Sequence, residues 1–247
     1  MPHLTYEKEI TGLVVIDPYN DFISEGGKIW DRIKGVAEAN QCVPHMRQIL
    51  EAARNTGIRV FYAMHRRYRP GDYETWKYIA PIQKAAWSRK SFEYGTWGGE
   101  IRTGFEPRAG DVVAAEHWCS SGFANTDLDL LLKKHSIHKL IVMGLIAHTC
   151  VEATVRYAAE LGYEVTVVKD ATASYSEEHM HSALEVNLFG LQEYLDAFQT
   201  CYSNLPPPCR STTRPCKLIK LALFSDIGGF FLLFDAGVIL GPRTGTN

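Results

Sequence analysis

Three positions far apart in the chain carry residue types that make and break bonds to carbon: Asp17, the adjacent pair Glu116 and His117, and Cys150. Cys150 follows a short apolar run, Leu140 to Met143, closed by Gly144, and opens a stretch with Val151, Thr154, Val155, Ala158 and Leu161 on one helical stripe. The first N–H groups of a helix lack internal partners and carry partial positive charge. A thiol at that point is expected to lean towards the thiolate, and the same N–H groups could hold an oxyanion. The other reading is that Cys150 is a small buried apolar residue. Asp17 ends a second apolar run, Gly12 to Ile16, where it could take the thiol proton and return it to a leaving group. It could equally cap a turn. Glu116 and His117 close a third run, DVVAAEHW.

These residues meet only if their strands are neighbours, because ligands of open α/β sheets bind outside the carboxyl ends of strands. Strands are expected at Gly12 to Ile16, Ile58 to Met64, Asp111 to Trp118, Leu140 to Met143 and Tyr163 to Lys169. Between them lie helices from Asp31 to Asn55, interrupted or restarted at Pro44, from Thr126 or Asp127 to His135, and from Cys150 to Gly162. A further helix starts near Ser176. Alternating strands and helices predict an α/β fold, a parallel sheet covered by helices on both faces.

Composition narrows the function. Among 247 residues, 22% are charged and the formal net charge is −2, so neither nucleic acid nor an acidic membrane surface is an expected partner. Six cysteines without CxxC pairing fit a reducing compartment, and MPHLTYEKEI lacks the apolar core of a signal peptide, so a cytoplasmic location is expected. From His65 to Gly110 the periodicity fades and aromatics accumulate, which suits a lid or pocket wall, or a satellite cluster covering the sheet. Arg66, Arg67 and Arg69 there are either carboxylate recognisers or a solvated basic loop. Residues 189–247 change character. Their proline-rich SNLPPPCRSTTRPCKLIK and charge-interrupted LALFSDIGGFFLLFDAGVIL predict an atypical tail, partly disordered or packed as an extra helix, and not a membrane span. The abrupt shift fits a replaced natural ending.

Four ordered segments, LVVIDPYNDF, SSGFANTDLDLLL, GLIAHTCVEATVRYAAELGY and VTVVKDATASY, resemble the isochorismatase-like cysteine hydrolases. The resemblance spans roughly Leu13 to Asn187 and implies a hydrolase domain over residues 1–188. The implied fold is a Rossmann-like three-layer α/β/α arrangement with a mostly parallel sheet of five to six strands. It implies a catalytic Asp–Lys–Cys triad acting on a small amide through an acyl-enzyme. The matching positions are Asp17 and Cys150, with a cis Leu145–Ile146 peptide and an oxyanion held by the N–H groups of Ile146 and Cys150. The lysine is missing: strand register places Glu116 there, and counting back from Phe123 places His117. Phe22, Trp76, Trp87, Trp97, Phe123, Thr149 and Tyr175 are candidate pocket residues, though Thr149 and Tyr175 fit ordinary packing as well. His65 and Asp72 lack ligand spacing, so neither a metal nor another cofactor is expected. A small-molecule substrate is the expected partner, and the resemblance implies self-association into a homo-oligomer. Two other functions stay open: acid-driven hydrolysis of an isochorismate-like vinyl ether, and a binding module without turnover.

Overall fold

A computed structural model describes residues 6–191 and 193–196. Six strands form one parallel sheet in the order β3-β2-β1-β4-β5-β6. They are β1 (Thr11–Ile16), β2 (Arg59–Ala63), β3 (Val112–Val113), β4 (Lys139–Leu145), β5 (Glu164–Ala173) and β6 (Glu193–Leu195). The order reverses between β1 and β4, the crevice where doubly wound folds bind ligands. Every residue of β1 is buried, as a central parallel strand covered on both faces requires.

The seven α-helices among the described residues are α1 (Asn20–Ile23), α2 (Trp30–Ala39), α3 (Cys42–Thr56), α4 (Pro81–Ser88), α5 (Leu128–Lys134), α6 (Glu152–Glu160) and α7 (Glu177–His181). The expected long first helix divides at Gln41, whose φ of 51° is left-handed, into α2 and α3. Pro44 falls in the first turn of α3, where a missing N–H leaves no bond unmade. Cys42, Met46, Ile49, Leu50 and Ala53 form the buried stripe of α3, which lies across β2 and β5. Gly57, at φ 81°, closes that helix with N–H bonds to Ala53 and Arg54. Burying Met46, Ile49 or Leu50 contributes about 1.5–3 kcal/mol each.

Two elements differ from expectation. The third strand holds only Val112 and Val113. Beyond them the chain swings to the end of β2, where His117 donates its N–H to Met64 and accepts one from Arg66. The sheet also extends to β6, inside the segment assigned to the tail. Residues 192 and 197–247 of that predicted tail, including its apolar segment, lie outside the described residues. Among the described residues, no helix is long and apolar enough to cross a membrane.

Candidate active site

Parallel register brings the strand ends to one level. Ile16 pairs with Ala63 of β2 and with Gly144 of β4, so the residues just beyond them face a common crevice. Gly144 is required there: its φ is 128°, and a Cβ would sit 2.1 Å from the Ile16 carbonyl oxygen. The Leu145–Ile146 peptide is cis, and a π-helical turn, Ala147–Val151, carries Cys150 into α6. Cys150 therefore lies one turn inside a helical segment and does not open it. The Ile146 carbonyl accepts the N–H groups of Thr149 and Val151, each at 3.2 Å.

Asp17 leaves β1 in the left-handed region, φ 52°, a conformation Asp tolerates better than most residues. Its Oδ1 accepts the His65 N–H at 2.5 Å and lies 3.3 Å from His117 Nε2. Asp17, His117 and Cys150 are all buried, and one donor atom from each lies within 4.8 Å of the others. His117 Nδ1 is 3.2 Å from the Cys119 carbonyl oxygen. A carbonyl only accepts, so Nδ1 carries a proton and Nε2 is turned towards the cluster. Asp17 Oδ2 and His117 Nε2 are buried with no hydrogen-bond partner.

Of the two positions considered for the missing lysine, the structure brings His117 to Asp17 and turns Glu116 away. Consecutive residues of an extended segment point to opposite sides, so only one can face the crevice. The parallel bridge between His65 and His117 decides which. Glu116 instead accepts from Arg67 Nε at 2.6 Å and faces Arg66 at 3.4 Å. Its side chain borders a separate cavity of about 230 Å³ with Tyr19, Met64, Arg67 and Glu100.

The thiol also departs from expectation. Burial first, and the Asp17 charge second, push Cys150 well above the ordinary thiol range, while the Thr149 hydroxyl and the Ile146 N–H act in the opposite sense. Thr149 Oγ1 donates to Sγ at 3.7 Å. Burial and the facing Asp17 therefore both favour the protonated thiol. His65 stacks edge-on against His117 at 5.2 Å, and burial, then His117, lower its affinity for a proton.

The expected pocket residues scatter. Trp76 borders a cavity of about 470 Å³ with Gln83, Trp118, Cys119, Ser121 and Asn125. Trp87 packs behind it through Tyr73. Trp97 is 54% exposed, and Phe123 is buried against Tyr157 and Tyr163. Phe22 packs on Phe92, whose ring also contacts Tyr19 and His65. Tyr175 meets the His148 ring edge-on, with Arg32 over its face at 4.0 Å. The three arginines are engaged within the chain: Arg66 with Asp72 and the Trp118 face, Arg67 with Glu116, Arg69 over Tyr94. Asp72 is thus held by a guanidinium, and His65 Nδ1 faces the Arg66 carbonyl at 2.9 Å. Two positioning residues carried no sequence signal. Asp21 accepts the N–H groups of Lys28 and Phe92, and Phe92 itself, at φ 55°, is the ring that backs His65.

A family model described as the isochorismatase domain matches residues 11–194. The ureidoacrylate amidohydrolase RutB of Caulobacter segnis is 28% identical over 214 residues, covering 81% of this chain and 89% of that protein. Among solved structures, N-carbamoylsarcosine amidase from Thermoplasma acidophilum superposes with a TM-score of 0.60 at 28% identity, covering 76% of this chain and 96% of that one. A cysteine hydrolase from Pseudomonas syringae superposes with a TM-score of 0.66 at 21% identity, over 81% of this chain and 96% of that one, a likeness of fold.

Proposed function

The chain belongs to the isochorismatase family of hydrolases, and on that premise we propose that it cleaves the C–N bond of a small amide through an acyl-enzyme on Cys150. The observation that carries this reading is the convergence of Asp17, His117 and Cys150, all buried, at adjacent strand ends. The names of two relatives, an amidohydrolase and an amidase, support the amide as substrate class.

The placement of these atoms supports the following sequence of steps. Sγ attacks the substrate carbonyl carbon as the thiol proton passes to Asp17, whose Oδ2 is unpartnered. With the thiol's pKa raised by burial and by Asp17, attack is coupled to this proton transfer. The N–H groups of Ile146 and Cys150 hold the oxyanion. Asp17 returns the proton to the departing nitrogen, the C–N bond breaks, and a thioester remains. Water then loses a proton to Asp17, attacks the thioester and releases the acid, and the proton goes back to Sγ. His117 faces the carboxylate with Nε2 at 3.3 Å, and so stands where the missing lysine would have met Asp17. The acid-driven vinyl ether reading needed Glu116 beside Asp17, and Glu116 is paired with arginines instead.

The test is amine or ammonia release from a panel of small amides, with ureidoacrylate and N-carbamoylsarcosine included. Turnover by the unaltered chain that disappears in Cys150→Ala, with a loss of about 10²–10⁴-fold in Asp17→Asn, is the expected result. A chain that folds and releases nothing from any amide would favour the binding module.

A further inference from the structure

We propose that Asp17, His117 and Cys150 also form a binding site for a soft divalent transition ion, Zn²⁺ in the first place, and that the bound ion blocks the nucleophile and switches the hydrolase off. The inference shares its site with the amide hydrolase reading and extends it to regulation.

The donor set suits such an ion. A thiol, an imidazole and a carboxylate each direct one atom into a buried volume where all three lie within 4.8 Å. Around tetrahedral zinc, an imidazole nitrogen and a carboxylate oxygen at about 2.0–2.1 Å from the ion are about 3.3 Å apart. The Nε2 to Oδ1 separation here is 3.3 Å. A zinc-bound sulfur would sit about 3.6 Å from each of them, so side-chain adjustments of about an ångström close the set.

The donor atoms are also held ready for an ion. The Nδ1–H of His117 is turned to the Cys119 carbonyl, the outer hydrogen bond that orients metal-bound imidazoles. That bond turns Nε2, the ring's other nitrogen, towards Asp17 Oδ1, 3.3 Å away. Neither Nε2 nor Asp17 Oδ2 has a hydrogen-bond partner. Buried polar atoms in that condition call for a donor or a cation. The His65 N–H, at 2.5 Å, fixes the carboxylate from the other side. A lysine at position 117 would have placed its own cation against Asp17, whereas an imidazole is a ligand and leaves the cation to be recruited.

The donor types also select the ion. A sulfur donor beside an imidazole selects zinc-like ions over Mg²⁺ or Ca²⁺, which prefer oxygen. On binding, the ion displaces the thiol proton and any proton on Nε2 to solvent, takes the sulfur lone pair that would attack carbon, and leaves a fourth position for water. No electrons are transferred. Removal of the ion restores the thiol.

The experiment uses the full chain stripped by a chelator, with Co²⁺ as a spectroscopic probe and Zn²⁺ as the ion tested. One Co²⁺ per chain is expected, with a thiolate-to-cobalt charge-transfer band that disappears in Cys150→Ser. In His117→Gln the affinity is expected to fall by more than about 100-fold, beyond the loss typical of an outer-shell change. Cys119→Ser is expected to keep the band. In the unaltered chain, Zn²⁺ is expected to slow alkylation of Cys150 and leave Cys119 unaffected, a readout that depends on no variant folding. A cobalt band that never forms, a band that survives Cys150→Ser, or a Cys150 alkylated equally fast with Zn²⁺ would overturn the proposal, as would turnover that rises with Zn²⁺. Turnover is assayed separately on stripped protein. Hydrolysis without ion binding defeats this inference alone, and ion binding without hydrolysis under any condition defeats the amide hydrolase reading alone.

Discussion

His117 Nε2 lies 3.3 Å from Asp17 Oδ1, and both residues are fully shielded from solvent. A carboxylate in such a place needs a counter-charge or a full set of hydrogen bonds, and Asp17 receives a backbone N–H from His65 alone on that oxygen. His117 is therefore the partner on which the site's charge balance depends. His117→Ala is expected to lower stability by about 3 kcal/mol or more, because it strands the buried carboxylate. Urea unfolding of both proteins at one pH measures this directly. His117→Gln, which keeps a polar group, should unfold closer to the unaltered chain while losing turnover.

Glu116 provides the contrast. It stands next in sequence to His117 yet pairs with Arg66 and Arg67, so Glu116→Gln is expected to leave amide turnover within a few-fold. Its cost should appear as stability, about 1–2 kcal/mol for a half-buried charged hydrogen-bond network. Parallel kinetics and urea curves on the one variant separate the two effects.

How far the site could be read beforehand turns on this neighbouring pair. The apolar runs that became β1, β2, β4 and β5 were plain in the sequence, because strands buried on both faces are nearly continuous in Val, Ile and Leu. Their parallel register brings Asp17 and Cys150 together. Register gave Glu116 for the third position and counting from Phe123 gave His117. The choice depends on which of two adjacent side chains turns inward, and that is set by the crossing of residues 114–117 to the end of β2. Three residues suffice for β6, too few for a pattern. Nothing local marks Phe92 as the ring behind His65, since both Asp21 and the left-handed turn that place it are tertiary effects. The thiol's environment differs from expectation for the same reason: neither the helical turn that begins at Ala147, ahead of Cys150, nor the burial and facing carboxylate around the thiol has a local signal.

Gly144 sets the spacing between the strand that ends in Asp17 and the turn that holds Cys150. In Gly144→Ala the new methyl meets the Ile16 carbonyl oxygen at 2.1 Å, at a φ of 128° that alanine adopts only with strain. A loss of at least about 2 kcal/mol in urea unfolding is expected, with turnover falling further than in the Glu116 variant. A fully stable Gly144→Ala protein would mean that the two strand ends are not this close.

His148, two residues before Cys150, bonds to Ser174 Oγ and stacks on His179. Burial first, then the neighbouring His179 and Arg32, lower its pKa from 6.5 to about 4. The folded state thus binds fewer protons than the unfolded chain between those values, so this contribution is intact above pH 6.5 and drains away as pH falls towards 4. The urea midpoint is expected to drop across that window, and less steeply in His148→Gln. An identical slope in both proteins would show that His148 titrates as a solvent-exposed residue.

The central claim is that a protonated Cys150, relieved of its proton by Asp17, becomes covalently acylated. Rapid quenching of the chain with an amide that it turns over, followed by peptide mass spectrometry, tests this most directly. The account predicts a transient mass increase equal to the substrate's acyl group on the peptide bearing Cys150, absent in Cys150→Ala and slowed in Asp17→Asn. Turnover that persists in Cys150→Ala, or an adduct carried by Cys42 or Cys119 instead, would contradict it.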